Sequence, residues 1–256
     1  MGFVVNEGVR IRFDTVGQGR PLLLHHGRLE DASVWHESGW VEALQPGRQL
    51  ILLDARGHGA SDKPHESSAY GARTMASDMV AVLDALAIEK ADVFGYSMGG
   101  RIGFMGVAYF PQRFGALVAG GAAPYGPALG RDDELAMSAS LAGGMTGYLA
   151  RLETMLGCRI TGAKRAALLA NDALAVAAMT RAMADWSPVV DLVRASGVPV
   201  QLFGGTTDAL WPRIGQCHEA LPGSALAALS GMDHIEVFTR RDQVLPIVAS
   251  FLARHA

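Results

Sequence analysis

The chain has 256 residues, half of them hydrophobic, so it can form one large domain, or a domain with an inserted subdomain, around a substantial core. The formal net charge of −3 excludes the strongly basic surface with which proteins usually bind nucleic acid or acidic lipid. Two cysteines, Cys158 and Cys217, argue against a disulfide framework and fit a reducing compartment, although a single bridge between them stays open.

The first segment in chain order, "MGFVVNEGVRIRFDT", has no basic region followed by an apolar core, so we expect no signal peptide. No stretch approaches the roughly 18 consecutive apolar residues of a transmembrane helix. We therefore expect a cytoplasmic protein that does not associate with membranes.

Short β-type segments then alternate with longer helical patterns. Residues 3–17 alternate through Val9, Ile11 and Phe13, which predicts a hairpin-like start. Continuous apolar runs, typical of strands buried on both faces, follow at 21–26, 49–54, 91–96, 116–123, 198–205 and 224–229. Helical patterns cover 74–88, 97–110 and 238–254, and Thr74 and Ser77 are able to cap the first. This alternation predicts an α/β fold with parallel strands and helices on both faces of the sheet.

The alternation stops between residues 124 and 196. This segment is rich in Ala and Met, has a helical period, and contains no convincing strand. We interpret it as a cap of three or four helices inserted into a core domain formed by residues 1–123 and 197–256.

Ser97 lies between two glycines in "VFGYSMGGRI" (93–102), where a predicted strand ends and a predicted helix begins. A nucleophile elbow requires this context, because small neighbours tolerate the strained turn and the hydroxyl stands at the carboxyl edge of the sheet. The helix N-terminus beside it favours developing negative charge. The pentapeptide alone also fits a capping serine in a glycine-rich turn, so the assignment depends on a base and an acid elsewhere.

The chain order of an elbow is serine, acid, histidine, and three of the eight histidines follow Ser97. His255 is in the tail and His218 is in a helical stretch. His234, in "LSGMDHIEVF", follows a predicted strand and a glycine turn, so it is the candidate base.

The acid must orient the imidazole and stabilise its charged form. Asp208, in "VPVQLFGGTTDALW", comes just past the carboxyl end of a predicted strand and is the favoured acid. Asp233 adjoins His234 and would have to turn back onto its ring, and Glu236 is a weaker rival. The other carboxylates considered are on insertion or linker helices, which suits solvated faces: Asp172, Asp185 and Asp191.

Backbone N–H groups would hold the oxyanion. We expect one from Met98, directly after the nucleophile, and one from Arg28, in the loop "HHGRLED" after the strand at 21–26. The Arg28 side chain is not needed for this role of the Arg28 N–H group. It could meet an anionic substrate, but pairing with Glu30 or Asp31, or exposure to solvent, is favoured.

Together these segments resemble the α/β-hydrolase-fold serine hydrolases, of the small esterase and lactonase type that also includes cofactor-free haloperoxidase-like members. The matching segments follow the order of that family across essentially the whole chain: "HHGR" at 25–28, "DARGHGASDKP" at 54–64, "GYSMGG" at 95–100, the Asp208 loop and "GMDHIEVF" at 231–238. The resemblance implies a mostly parallel eight-stranded sheet, with the 124–196 cap between strands six and seven.

Several alternatives are weighed against this resemblance. In "DARGHGAS", Gly57 and Gly59 suggest a phosphate loop, but no Walker lysine or third glycine follows, and the family has a structural turn there, so His58 is not expected to be catalytic. A serine at the elbow argues against dehalogenases and epoxide hydrolases of this fold, which use Asp. No cluster has metal-ligand spacing, so neither zinc nor another cofactor is implied.

We expect acyl transfer on an ester or lactone of small to medium, largely apolar character. Plausible residues of a pocket between cap and sheet, for each of which core packing is the alternative, are Trp35, Tyr125, Met179, Met183, Trp186 and Trp211. The rival functions are hydrolysis of a carbon–carbon bond, perhydrolysis as in haloperoxidase-like members, and a ligand-binding or signalling protein with little turnover. No nucleic-acid or membrane partner is expected, and the oligomeric state stays open.

Overall fold

Eight strands form one sheet in the computed structural model, which describes residues 1–127, 130–156 and 159–255. The strands are β1 (Gly2–Asn6), β2 (Val9–Val16), β3 (Arg20–His25), β4 (Arg48–Leu53), β5 (Ala91–Tyr96), β6 (Phe114–Gly120), β7 (Val200–Gly205) and β8 (Ala225–Leu229). Their order across the sheet is β1-β2-β4-β3-β5-β6-β7-β8.

The direction of the strands places the functional loops at one edge. β2 runs antiparallel to β1 and β4, whereas every other neighbouring pair from β4 to β8 is parallel. The carboxyl ends of β3, β5, β6 and β7 therefore lie side by side, and the loops that follow them converge there. The predicted eight-stranded, mostly parallel sheet is confirmed.

Twelve helices connect and flank the strands of the described chain. They are α1 (Ser33–Glu37), α2 (Trp40–Leu44), α3 (Ala72–Ala85), α4 (Met98–Tyr109), α5 (Arg131–Ser140), α6 (Met145–Leu156), α7 (Gly162–Leu169), α8 (Ala173–Ala184), α9 (Val190–Ser196), α10 (Trp211–Ala220), α11 (His234–Thr239) and α12 (Arg241–Arg254). α3 begins directly after Gly71, so Thr74 and Ser77 lie inside the helix and the predicted side-chain cap is wrong.

Alternate residues of each buried strand feed two separate cores, because successive side chains point to opposite faces of a sheet. On β5, Val93 packs into a core with α3, α4 and α9, whereas Phe94 packs into a second core with α1, α2 and α12. The continuous apolar runs in the sequence reflect this burial on both faces.

The segment between β6 and β7 is helical in its described part, as the sequence indicates. Residues 128, 129, 157 and 158, including Cys158, lie outside the described residues, and Cys217 is a buried free thiol. α5 packs on α6 and α8, with a small apolar core of their own, whereas α9 contacts α4 and α10 as a sheet-flanking helix does. The division into a core and a cap domain at 124–196 stays a prediction.

Of the described helices, none is by itself both long and apolar enough to cross a membrane. α7 and α8 meet that criterion only together, and the chain bends by 79° between them.

Candidate active site

Ser97 forms a strained turn between β5 and α4. Its φ of 53° and ψ of −114° lie outside the regions that non-glycine residues usually adopt. The turn is held on both sides, because the Ser97 N–H donates to the Gly120 carbonyl at 2.8 Å and its carbonyl accepts from the Arg101 N–H at 3.1 Å. The strain is thereby fixed into the fold, and the hydroxyl stands at the carboxyl edge of the sheet.

The glycines around Ser97 are required by close backbone contacts. A Cβ on Gly95 would lie 2.3 Å from the carbonyl oxygen of Gly99, and a Cβ on Gly99 would lie 2.0 Å from that of His25. Neither oxygen belongs to a flexible side chain, so neither can move aside cheaply. The glycine pattern thus lets α4 approach the ends of β3 and β5.

Ser97, His234 and Asp208 form one chain of hydrogen bonds. His234 Nε2 lies 2.9 Å from Ser97 Oγ, and His234 Nδ1 lies 2.6 Å from Asp208 Oδ2. The other Asp208 oxygen accepts from the Leu210 N–H at 2.9 Å, which fixes the carboxylate. Asp208 is buried, whereas the His234 side chain is 25% exposed, so the imidazole faces the open side of the site.

The rival carboxylates are engaged elsewhere. Asp233 Oδ1 accepts from the N–H groups of Ile235 and Glu236 at 2.8 Å, and Glu236 accepts in return from the Asp233 N–H at 3.0 Å. This reciprocal arrangement caps α11, whose first residue is His234. Both residues therefore position the histidine through its helix, without contacting its ring nitrogens.

Two residues that the sequence analysis did not single out support His234. The Tyr96 hydroxyl donates to the His234 carbonyl at 2.5 Å, and burial, with help from Asp208 and Asp233, raises the pKa of Tyr96 well above its ordinary value. The hydroxyl therefore stays protonated and can donate. Gly121 has a φ of +57°, and a Cβ there would lie 2.9 Å from His234 Cε1. The sequence signal for Gly121 is its position directly after β6, in "AGGAA", at the same edge of the sheet as Ser97.

The predicted oxyanion donors lie beside Ser97. The N–H groups of Arg28 and Met98 have no hydrogen-bond acceptor among the described residues, and both residues line the same cavity as Ser97. His26 fixes the Arg28 loop, because its Nε2 accepts from the Ala55 N–H at 3.0 Å and its Nδ1 then donates to the Gly27 carbonyl at 2.8 Å. Two backbone donors without an acceptor among the described residues therefore belong to the lining of the cavity that contains Ser97.

The Arg28 side chain pairs with a residue that the sequence did not indicate. Its two terminal nitrogens reach the Glu134 carboxylate of α5 at 3.1 and 3.2 Å, so the predicted pairing with Glu30 or Asp31, or exposure to solvent, is wrong. Burial opposes the charge, yet Glu134 and Tyr148 hold the pKa of Arg28 above its ordinary value. Glu30 instead pairs with Lys164 of α7. The loop that contains Arg28 and Glu30 is thereby tied to the helical insertion.

The cavity beside Ser97 has a volume of about 50 Å³, and its lining includes Tyr125 and Met183, two of the residues proposed for the pocket. A neighbouring open groove of about 570 Å³ shares the Tyr125 wall and includes Trp186. Both lie where the insertion covers the carboxyl edge of the sheet.

Three of the predicted pocket residues pack in or against the two cores of the sheet. Trp35 packs its ring 5.0 Å from that of Phe94 on the face of the sheet opposite to α4, because α1 covers that face. Met179 is fully buried in the core under the insertion. Trp211 packs beside β7 against Gly204. Core packing, the alternative given for each, thus accounts for Trp35 and Met179, whereas Trp211 is half-buried against the core.

"DARGHGAS" forms a buried turn. The Asp54 carboxylate accepts from the N–H groups of Ala32 and Ala60, each at 2.8 Å, and Gly59 has a φ of +51°. His58 is buried, with its ring 5.3 Å from that of His26. Within the described ranges, no three His, Cys, Asp or Glu side chains are placed to hold a metal ion.

Comparisons with known proteins identify the fold family of the chain. A family model described as alpha/beta hydrolase fold matches residues 20–212. A protein of Bacillus subtilis (strain 168), assigned as a 2-succinyl-6-hydroxy-2,4-cyclohexadiene-1-carboxylate synthase, is 27% identical over 258 residues, which cover 91% of each chain. The enol-lactonase from Burkholderia xenovorans LB400 is 20% identical, with a TM-score of 0.85 over 98% of this chain and 100% of that chain. An esterase from Exiguobacterium antarcticum has the same identity and TM-score over 99% and 100% of the two chains.

Proposed function

Because the chain belongs to the α/β hydrolase fold family, we propose that it is a serine hydrolase that cleaves carboxylic esters or lactones through an acyl-enzyme. The observation that carries this proposal is the unbroken hydrogen-bond chain from Ser97 Oγ through His234 to Asp208. A serine hydroxyl is a weak nucleophile, and a base within hydrogen-bond distance is what activates it.

In the first half of the reaction, His234 Nε2 takes the proton of Ser97 as the oxygen attacks the carbonyl carbon. The Met98 and Arg28 N–H groups hold the resulting oxyanion, and Asp208 stabilises the imidazolium. Collapse of the tetrahedral intermediate expels the alcohol, which receives the proton from His234. Each oxyanion donor is worth roughly 100- to 1000-fold in rate.

In the second half, His234 removes a proton from water, which attacks the acyl-enzyme carbonyl. The acid is released and the proton returns to Ser97, so the enzyme is regenerated. A lactone follows the same steps, with its alcohol still attached to the acyl group. The esterase and the enol-lactonase with similar folds carry names that denote these two substrate types, which supports the proposal.

The decisive experiment compares wild type with Ser97→Ala on 4-nitrophenyl esters of increasing acyl length, with a fluorophosphonate probe and intact-mass measurement. Wild type should turn over short esters and gain the mass of one phosphonyl group, and the variant should lose both. Ser33→Ala, at an exposed position on α1, is the matched control and should keep both.

Other outcomes would replace the proposal. Labelling of Ser97 without ester turnover, together with peroxide-dependent halogenation or cleavage of a diketone, would assign perhydrolysis or carbon–carbon bond hydrolysis to the same three residues. Neither labelling nor turnover of any kind, with tight binding of a small molecule, would assign a binding protein.

A further inference from the structure

Arg101 is a buried guanidinium that the catalytic scheme does not use. It lies on the first turn of α4, four residues after Ser97, and is only 6% exposed. Within the described part of the chain, its Nε and Nη1 have no hydrogen-bond partner, and its Nη2 reaches the Met183 carbonyl only at 3.5 Å. Most of the donors of a charged group are therefore unused in the interior.

The remaining contact of Arg101 does not use those donors either. The guanidinium carbon lies 4.9 Å from the centre of the Trp186 ring, a contact that favours the cation but engages the face of the aromatic system. Burial lowers the pKa of Arg101 to about 10, and Glu134 opposes this effect, while Arg28 and Arg213 add to it. The group still carries its charge at neutral pH. Because an unpaired buried charge is strongly unfavourable, a missing partner is the simplest reason for its presence.

The residues around Arg101 favour an anion as its missing partner. Arg28, Arg101 and Arg213 all line the cavity that contains Ser97. The donors of Arg28 are directed at Glu134, and Arg213 Nη1 donates to the carbonyls of Gly126 and Pro127. Of these three guanidinium groups, only Arg28 contacts a carboxylate, and Arg101 is the one whose Nε and Nη1 are buried without a partner among the described residues.

We propose that the substrates of this enzyme carry a carboxylate that binds to Arg101 in the cavity beside Ser97. This inference rests on the proposed hydrolase function, and specifies its substrate class. A guanidinium edge presents two parallel N–H donors that match the two oxygens of a carboxylate. The cavity volume of about 50 Å³ compares with roughly 30 Å³ for a water molecule, so it suits a group of a few atoms.

Both contacts of Arg101 come from the insertion, because Met183 is on α8 and Trp186 follows that helix. A ligand that binds Nε and Nη1 therefore meets Arg101 where the insertion covers it. The carboxylate would then replace the long contact to the Met183 carbonyl.

The kinetic test uses pairs of esters that differ only in charge. Monomethyl succinate and methyl 4-methylpentanoate place a carboxylate or an isopropyl group on the acyl half; 4-acetoxybenzoate and 4-isopropylphenyl acetate do so on the alcohol half. In wild type, kcat/KM should favour the anion in at least one pair. Arg101→Gln should lower that preference about 10- to 100-fold, as expected for loss of hydrogen bonds to a charged group.

Two matched variants distinguish a direct contact between Arg101 and the carboxylate from a general effect of positive charge. Arg181→Gln removes the same charge from an exposed position on α8 and should leave the preference unchanged. Arg101→Lys keeps the charge but loses the paired donors, so its preference should be intermediate. A preference for the neutral ester in both pairs, or an unchanged preference in folded Arg101→Gln, would overturn the proposal.

A binding measurement is independent of turnover. Calorimetric titration of Ser97→Ala with succinate should show saturable binding that weakens at least 10-fold when Arg101→Gln is added. If esters are not hydrolysed but this binding is present, the hydrolase function fails and the anion site stands. If inorganic phosphate binds and succinate does not, the carboxylate assignment is wrong.

Discussion

At the scale of single residues, the carboxylate that contacts the His234 ring is not the one next to it in the sequence. Asp233 is adjacent to His234 but caps the helix, whereas Asp208 is 26 residues away and lies 2.6 Å from Nδ1. The loop after β7 brings Asp208 to the ring because β7 ends at the same edge of the sheet as β5. Proximity along the chain therefore does not indicate which carboxylate contacts the His234 ring.

This difference predicts opposite results for two matched substitutions. Asp208→Asn should lower kcat by about 10⁴-fold, because an amide cannot stabilise the imidazolium and favours the wrong tautomer of His234. Asp233→Asn should change kcat by no more than a few-fold, since Asn is as good an N-cap as Asp. Steady-state hydrolysis of a 4-nitrophenyl ester measures both. A large loss in Asp233→Asn with a small loss in Asp208→Asn would exchange the two roles.

At the scale of secondary-structure elements, the turn at Ser97 depends on close packing between α4 and β3. The first turn of α4 passes so close to β3 that residue 99 has no room for a side chain. Since β3 continues directly into the loop that contains Arg28, the same contact holds this loop close to the Ser97 turn. A glycine at position 99 therefore affects both the stability of the fold and the geometry of the proposed site.

Gly→Ala substitutions at two helical positions test this conclusion, because the difference in intrinsic helix propensity is the same for both. Gly215→Ala in α10 meets no atom within 4 Å and should stabilise the fold by about 0.5–1 kcal/mol. Gly99→Ala should instead destabilise it by about 1–3 kcal/mol, since the new Cβ would overlap the His25 carbonyl. Urea unfolding measures both free energies. Equal stability of the two variants would show that the α4–β3 contact relaxes easily.

At the scale of the whole molecule, the sequence predicts features that depend on local patterns and does not predict contacts between residues that are far apart in the chain. Ser97 and His234 were recognised because local strand–turn–helix patterns place such residues at one edge of a parallel sheet. The Arg28–Glu134 pair was missed because its partners are 106 residues apart, and no local pattern indicates how the insertion docks.

The pocket was predicted less well for the same reason. Trp35 and Tyr125 are both aromatic residues after buried strands, yet one lies under the sheet and the other lines the cavity. The difference depends on which face α1 covers, and this is decided by packing of the two cores. Arg101 was not singled out, because in sequence it is one arginine on a helix; only its burial without partners distinguishes it.

Three adjacent buried histidines link the stability of the molecule to pH. Burial, reinforced by the neighbouring His26, lowers the pKa of both His25 and His58 from 6.5 to about 3, and burial also lowers that of His26. Between about pH 3 and 6.5 the unfolded chain therefore binds more protons than the folded one. The stabilisation is fully present above pH 6.5 and is lost as the pH falls towards 3.

The free energy of unfolding should therefore fall steeply on acidification. Each histidine contributes a slope of about 1.4 kcal/mol per pH unit below 6.5, so His25 and His58 together should account for a loss of roughly 4 kcal/mol between pH 7 and pH 5. Urea unfolding at the two pH values measures this loss. His58→Met should reduce it by about 2 kcal/mol; the variant also loses the contact between His58 Nδ1 and the Arg56 carbonyl at 3.2 Å, which lowers the free energy of unfolding at both pH values alike. His36→Gln, at an exposed position on α1, should leave the loss unchanged. If His58→Met and wild type lose the same free energy, the buried histidines are not the groups that couple this fold to pH.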